Sequence, residues 1–123
     1  MKKLQLTIGN IDNRVEELRL IKSKMLNLLD IETDNIYDLI LQMYIEIQSV
    51  KMVADYINDK GFRIETEFAD KVSIRKYISN DITEIILSNT VECNTDLKQY
   101  AKTLFNYNKG RQYFSDLLKL ASK

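Results

Sequence analysis

The chain of 123 residues has no histidine, no proline, no tryptophan, a single cysteine at Cys93, and three glycines. One cysteine forms no intrachain disulfide. Without histidine, neither a Ser-His-Asp nor a Cys-His nucleophile nor a zinc-finger ligand set can be assembled within one chain. Gly9, Gly61 and Gly110 stand alone, so there is no glycine-rich loop to cradle a phosphate. Neither sign of charge prevails: 18 Lys and Arg balance 18 Asp and Glu, which removes any argument from net charge to a nucleic-acid or membrane partner. No stretch approaches the roughly 20 apolar residues of a membrane helix. Lys2 and Lys3 are followed by no continuous apolar run of the signal-peptide kind. What is present, 45% hydrophobic and 29% charged residues over the length of one domain, predicts a single globular unit spanning 1–123 with one modest core. A lone thiol suits a reducing compartment, so the expected location is cytoplasmic.

The apolar spacing predicts a mainly α chain. Leu4, Leu6 and Ile8 alternate with polar residues as a short strand would, until Gly9 and Asn10 stop the pattern. From Asp12 to Leu29, Val15, Leu18, Ile21, Met25, Leu28 and Leu29 recur at three and four, with Asp12, Glu16 and Glu17 where a helix start favours negative charge. Arg14, Arg19, Lys22, Lys24 and Asn27 read as its solvated face. The apolar stripe is wide enough to serve the core or a partner helix in a homodimer. Thr33, Asp34 and Asn35 precede a second helix running to about Gln48, and Ser49 caps a third that ends at Lys60 and Gly61. The period then changes to two over Phe62, Ile64, Thr66 and Phe68 and again over Val72, Ile74 and Lys76. A hairpin within residues 62–78 follows, with Ala69, Asp70 and Lys71 as its turn. Ser79 and Asp81 cap a fourth helix ending at Asn89, and Thr90 to Thr95 is a polar connection. A helical pair over 95–121, broken at Lys109, Gly110 and Arg111, completes the chain.

The order of elements from Ile36 to Asn89 resembles a helix-turn-helix. Ser49 to Arg63, with Val53-Ala54 and then Asn58-Asp59-Lys60-Gly61-Phe62-Arg63, looks like the segment of serine-recombinase-type and phage DNA-binding domains in which a Val-Ala helix ends in Asn-x-x-Gly-aromatic-Arg. The resemblance implies a winged or hairpin-extended helix-turn-helix whose reading helix, here Ser79 to Asn89, enters the major groove. Ser79 belongs to its start, Asn80 would bond adenine, and Thr83 would touch a thymine methyl. Arg75 and Lys76 on the second strand would be a wing that clamps the backbone, and Arg63, which closes the Asn-x-x-Gly-aromatic-Arg run, is a further candidate for nucleic-acid contact. The helix departs from the pattern in lacking Arg and Lys, and Glu84 opposes phosphate unless aimed at a cytosine amine. A recombinase catalytic domain has no room in this chain, so binding rather than strand exchange is implied.

Charge distribution points the same way. Residues 1–59 hold 7 basic and 10 acidic side chains, whereas residues 60–123 hold 11 and 8. Toward the end, Lys98, Lys102, Lys109, Arg111, Lys119 and Lys123 are interleaved with aromatic residues. Of these, Tyr107, Lys109 and Arg111, lying at the helix break, suit phosphate contact and base stacking, while Tyr100, Phe105, Tyr113 and Phe114 fall at core spacing. Acid pairs such as Glu16 with Glu17, Glu65 with Glu67 and Asp34 with Asp38 are expected by chance among eighteen acids, and no catalytic residue, metal ligand or cofactor site emerges. The expectation is a small non-enzymatic DNA-binding protein of phage or mobile-element type. The alternative is a protein-interaction or inhibitor module that binds a protein partner through the acidic first half or exposed tyrosines.

Overall fold

The computed structural model describes residues 5–89 and 92–123 and is mainly helical with one small antiparallel hairpin, as the spacing predicts. Helix α1 (Ile8–Leu29) begins four residues before Asp12, because the Thr7 hydroxyl accepts the Asn10 amide at 3.1 Å and so satisfies one of the helix's free donors. No strand forms over residues 5–8. Leu6 and Ile8 are 79% and 81% exposed, so their alternation has no surface to bury against, and a lone strand would leave its backbone groups unpaired. Leu4, the first residue of that expected strand, lies outside the described residues. Asp12, Glu16 and Glu17 therefore sit inside the helix rather than at its start.

Helix α2 (Ile36–Ile47) is capped by Asn35, whose side chain accepts the Asp38 amide at 2.9 Å. Gln48 turns the chain through the left-handed region (φ 55), and Ser49 at once caps α3 (Val50–Asp59). The corner thus takes two residues. Helix α3 ends in a Schellman motif: Gly61 at φ 92 donates to Asn58 and Phe62 donates to Ile57, bonds that engage last-turn carbonyls. The same motif ends α5, where Gly110 (φ 75) donates to Tyr107 and Arg111 to Asn106.

Strands β1 (Ile64–Phe68) and β2 (Lys71–Arg75) pair in register from Ile64 opposite Arg75 to Phe68 opposite Lys71. The turn is Ala69-Asp70 alone, both residues at positive φ (51 and 65), and not the three-residue loop expected. A two-residue loop in this conformation matches the twist of the strands it joins, and that match outweighs the absence of Asn-Gly. Residues in register share a face, so Thr66, Phe68, Lys71, Ser73 and Arg75 look one way and Glu65, Glu67, Val72 and Ile74 the other. Only Ile64 is half-buried; the rest of the hairpin stands in solvent.

Helix α4 (Ser79–Leu87) follows. Its N-cap is Ile78, one residue before the expected Ser79, and the capping acceptor is the Asp81 carboxylate, which takes the Ile78 amide at 2.8 Å. Helices α5 (Thr95–Asn108, capped by Asn94) and α6 (Phe114–Ala121) complete the order. The core is built on α2, which packs against α1, α3, α4 and α5. It contains Ile40, Leu41, Tyr44 and Ile45 of α2, Val53, Ala54 and Ile57 of α3, Ile82, Ile85 and Ile86 of α4, and Leu97, Tyr100, Ala101, Leu104 and Phe105 of α5, all buried. Ala54 is the small residue at the α3 crossing. Side chains also tie helix ends together: Gln42 donates to the Leu28, Leu29 and Ile31 carbonyls at the end of α1, Asp38 accepts the Asn94 amide, and Asn108 donates to Tyr44 and Gln48.

Helix α1 departs most from its expected packing. Only Ile21 and Leu28 are buried, while Val15 and Leu18, on the stripe expected to serve either the core or a partner helix, are half exposed. Conversely Arg14, assigned to the solvated face, is partly buried with its guanidinium 4.1 Å from the centre of the Phe114 ring, a cation–π contact joining α1 to α6.

Candidate nucleic-acid interface

Helices α2, α3 and α4 touch one another pairwise, and the hairpin is inserted between the second and third. The insertion is closed at its base by Asn58, near the end of α3. Its amide nitrogen donates to the Tyr77 carbonyl at 2.9 Å and its oxygen accepts the Tyr77 amide at 2.8 Å. This two-way clip joins residues nineteen apart and brings the chain back to the end of α3 as α4 begins. Asn58 belongs to the Asn-x-x-Gly spacing, but nothing local in the sequence reveals that its partner is Tyr77.

Arg75 leaves β2 to grip Asp81 in the first turn of α4. The pair is bidentate, both N–H···O distances being 2.8 Å, and Arg75 also donates to the Lys76 carbonyl at 3.1 Å. Asp81 is mostly covered and accepts three bonds in all. The Arg75 guanidinium, helped by the Ile78 amide and opposed by burial, holds its carboxyl below the usual carboxylate range. The ionised form persists at neutral pH, its charge neutralised by the partner. Glu84, one turn further on, adds to the same field around Arg75. Between hairpin base and helix lies an open cleft of about 490 Å³, whose lining includes Tyr37, Arg63, Glu65, Tyr77 and Ser88.

The residues expected to meet DNA fall into two groups. Arg63 donates to the Asn58 and Phe62 carbonyls at 3.0 and 2.7 Å, and Arg75 to Asp81 as described, so each is engaged within the chain. Lys76 is exposed just beyond β2, and Asn80 is exposed at the second position of α4. Ser79 and Thr83 are half-buried, and the Thr83 hydroxyl donates to the Ser79 carbonyl at 3.2 Å, which leaves its methyl as the free feature. Lys71, opposite Phe68 at the hairpin tip, joins this group although the sequence marks it only as a turn residue. The second group, Tyr107, Lys109 and Arg111, is exposed at the α5–α6 break. Asn108 ties that break to Gln48 at the corner that leads into α3, whereas Asn58 ties α4 to its end. The ten residues of α3 span about 15 Å, so the two groups lie toward opposite ends of it.

The aromatic residues at core spacing divide. Tyr100 and Phe105 are buried and Phe114 is partly so, while Tyr113 is 79% exposed. Lys109 lies with its ammonium 5.6 Å from the centre of the Phe105 ring. The Tyr100 hydroxyl is buried without a hydrogen-bond partner, and burial pushes its pKa up to about 12.

Among the described residues no three Cys, Asp or Glu side chains converge as a metal site would require, and Asp38 is occupied by Asn94 and Asn35 rather than paired with Asp34. Burial raises the Cys93 thiol pKa more than nearby Lys98 lowers it, so the sulfur is held as a thiol and not as the nucleophilic thiolate. Lys98 itself donates to the Ile85 carbonyl, and burial lowers its pKa. No described helix is long and apolar enough to cross a membrane. No protein-family model matches the chain, nor does any curated protein or solved structure.

Proposed function

We propose that the protein is a small DNA-binding protein acting without catalysis, in which α4 reads the groove and the hairpin holds the backbone. The observation that carries this reading is the mutual packing of α2, α3 and α4, with the start of α4 at the surface beside a projecting hairpin. That is the arrangement a helix-turn-helix needs: two helices brace a third whose first residues face outward. Asn80 offers the amide that pairs with adenine, and the Thr83 methyl can meet thymine. The positive charges for phosphate are Lys71 and Lys76 on and beside the hairpin, with Phe68 at its tip. Arg75 has a different part. By neutralising Asp81 it removes a carboxylate charge that would repel phosphate at the start of the reading helix.

The test is fluorescence anisotropy with duplex oligonucleotides at about 50 and 200 mM salt, where phosphate-led affinity drops by orders of magnitude. Micromolar, salt-sensitive binding is expected, and Lys71→Ala with Lys76→Ala should reduce the salt slope by about two. Absence of binding at the lower salt would reject the reading. A second reading, a module that binds a protein partner, is favoured by the exposed apolar residues Ile8, Val15, Leu18 and Leu26 of α1.

A further inference from the structure

Helix α1 carries an apolar seam that the fold leaves open. Ile8, Ile11, Val15 and Leu18 recur at three and four, and the same spacing continues through Lys22 to Met25 and Leu29, which are partly buried against the core, so the open stretch runs from Ile8 to Lys22. This is the alternation of a coiled-coil seam, with Ile8, Val15, Lys22 and Leu29 at one core position and Ile11, Leu18 and Met25 at the other. The seam is turned about a quarter of the helix circumference away from Ile21 and Leu28, which face the protein's own core. Ile8, Ile11, Val15 and Leu18 are between 43% and 81% exposed. From Ile8 to Lys22 the seam runs about 21 Å.

We propose that this seam is filled by α1 of a second copy, running antiparallel, so that the protein is a symmetric dimer. Asp12 and Arg19 lie on the same flank of the seam and are complementary to each other, which suits a second copy, and charge sets its direction. In a parallel pair in register, Arg19 of one chain would face the flank that holds Arg14 of the other, a like charge turned onto the Phe114 ring, and would find no acid there. In the antiparallel pair that sets Val15 opposite Leu18 of the other copy, Asp12 meets Arg19 of the other copy, and the twofold axis repeats the contact. The same register sets Ile11 opposite Lys22. The lysine stem can cover the isoleucine while its ammonium reaches water, a polar core position of the sort that fixes register. Within one chain Arg19 touches only Glu16 among its described ion pairs, at 3.5 Å with both side chains well exposed, so it is readily redirected.

This inference does not depend on DNA binding. The test is sedimentation equilibrium of the full chain across the micromolar range. The native protein should show a concentration-dependent dimer, and Leu18→Glu should weaken dimerisation by at least about a hundredfold with an unchanged helical circular-dichroism spectrum. Asp12→Arg alone should weaken it by about tenfold, and Asp12→Arg with Arg19→Asp should restore it. A monomer throughout, a dimer that Leu18→Glu leaves intact, or a double variant no better than Asp12→Arg alone would each overturn the proposal. In a Cys93→Ser background, Ile11→Cys mixed with Lys22→Cys, both at exposed positions, should cross-link between copies. Cross-linking of Ile11→Cys to itself would instead indicate the parallel pairing and overturn the antiparallel one.

Discussion

Helices α1 and α2 carry the same kind of pattern and meet different fates. Each places apolar residues at intervals of three and four. Yet α2 buries Ile40, Leu41, Tyr44 and Ile45 almost completely, whereas α1 buries Ile21 and Leu28 and leaves Ile8, Ile11, Val15 and Leu18 in contact with solvent. The cause lies in their neighbours. Four helices pack around α2, while α1 packs chiefly against α6 and α2. Periodicity therefore establishes that a helix has an apolar face, but the number of elements that close around it decides whether the face belongs to this chain's core or to a surface.

The contrast can be broken most forcefully at its buried end. Leu41, fully buried at the centre of α2, is expected to cost about 3 kcal/mol on substitution by alanine, measured by urea unfolding, because the surrounding helices cannot collapse into the space. A loss below about 1 kcal/mol would mean that α2 is not the centre of the core. Asn58→Ala should cost about 2 kcal/mol in the same assay, since it leaves both the amide and the carbonyl of Tyr77 without their partner. Because the clip also places α4 after the hairpin, any DNA affinity should fall with it.

Tyr100 tests the core from the opposite direction. Its buried hydroxyl has no partner, so Tyr100→Phe should leave stability unchanged or raise it by about 1 kcal/mol. The pKa is raised in the folded state, to about 12. Stability linked to this group is therefore complete below the unfolded value near 10 and lost as pH rises from there through the folded value. Tyr100→Phe should flatten the part of the alkaline stability profile that Tyr100 contributes, alongside the contributions of Tyr44 and Tyr77, whose pKa values burial also raises. The smallest effect belongs to the exposed end of the comparison: Leu18→Ala, assayed at a concentration where the chain is monomeric, should change stability by less than about 0.5 kcal/mol.

Much of the architecture is legible in the order of residues alone. Asn35 and Ser49 are cap residues whose side chains compete for helix-end donors, and Gly61 and Gly110 supply the positive φ that ends α3 and α5, so those boundaries follow from local chemistry. The strand expected at the start does not form over residues 5–8 because three apolar residues can alternate by chance and, among the described residues, no neighbouring strand pairs with them. Thr7, adjacent to them, holds the cap that begins α1 instead. The candidate interface is legible in part. Asn80 and Lys76 are as exposed as the sequence suggests. The roles of Arg63 and Arg75 are hidden, because a cation in a sequence looks the same whether it will meet phosphate or the chain's own carbonyls and carboxylates. The Asn58–Tyr77 clip and the separation of Tyr107, Lys109 and Arg111 from α4 depend on tertiary geometry alone.

The two proposals give two surfaces different tasks, the hairpin with the start of α4 to DNA and the open seam of α1 to a second copy. Titrating the labelled protein with a DNA duplex and following its backbone amide NMR shifts separates these surfaces in one experiment. Changes are expected to cluster from Thr66 to Glu84, strongest around Lys71, Lys76, Asn80 and Thr83, with Ile8 to Leu20 of α1 unmoved. Changes centred on α1, or confined to the α5–α6 break around Lys109, or no changes at all, would contradict that division.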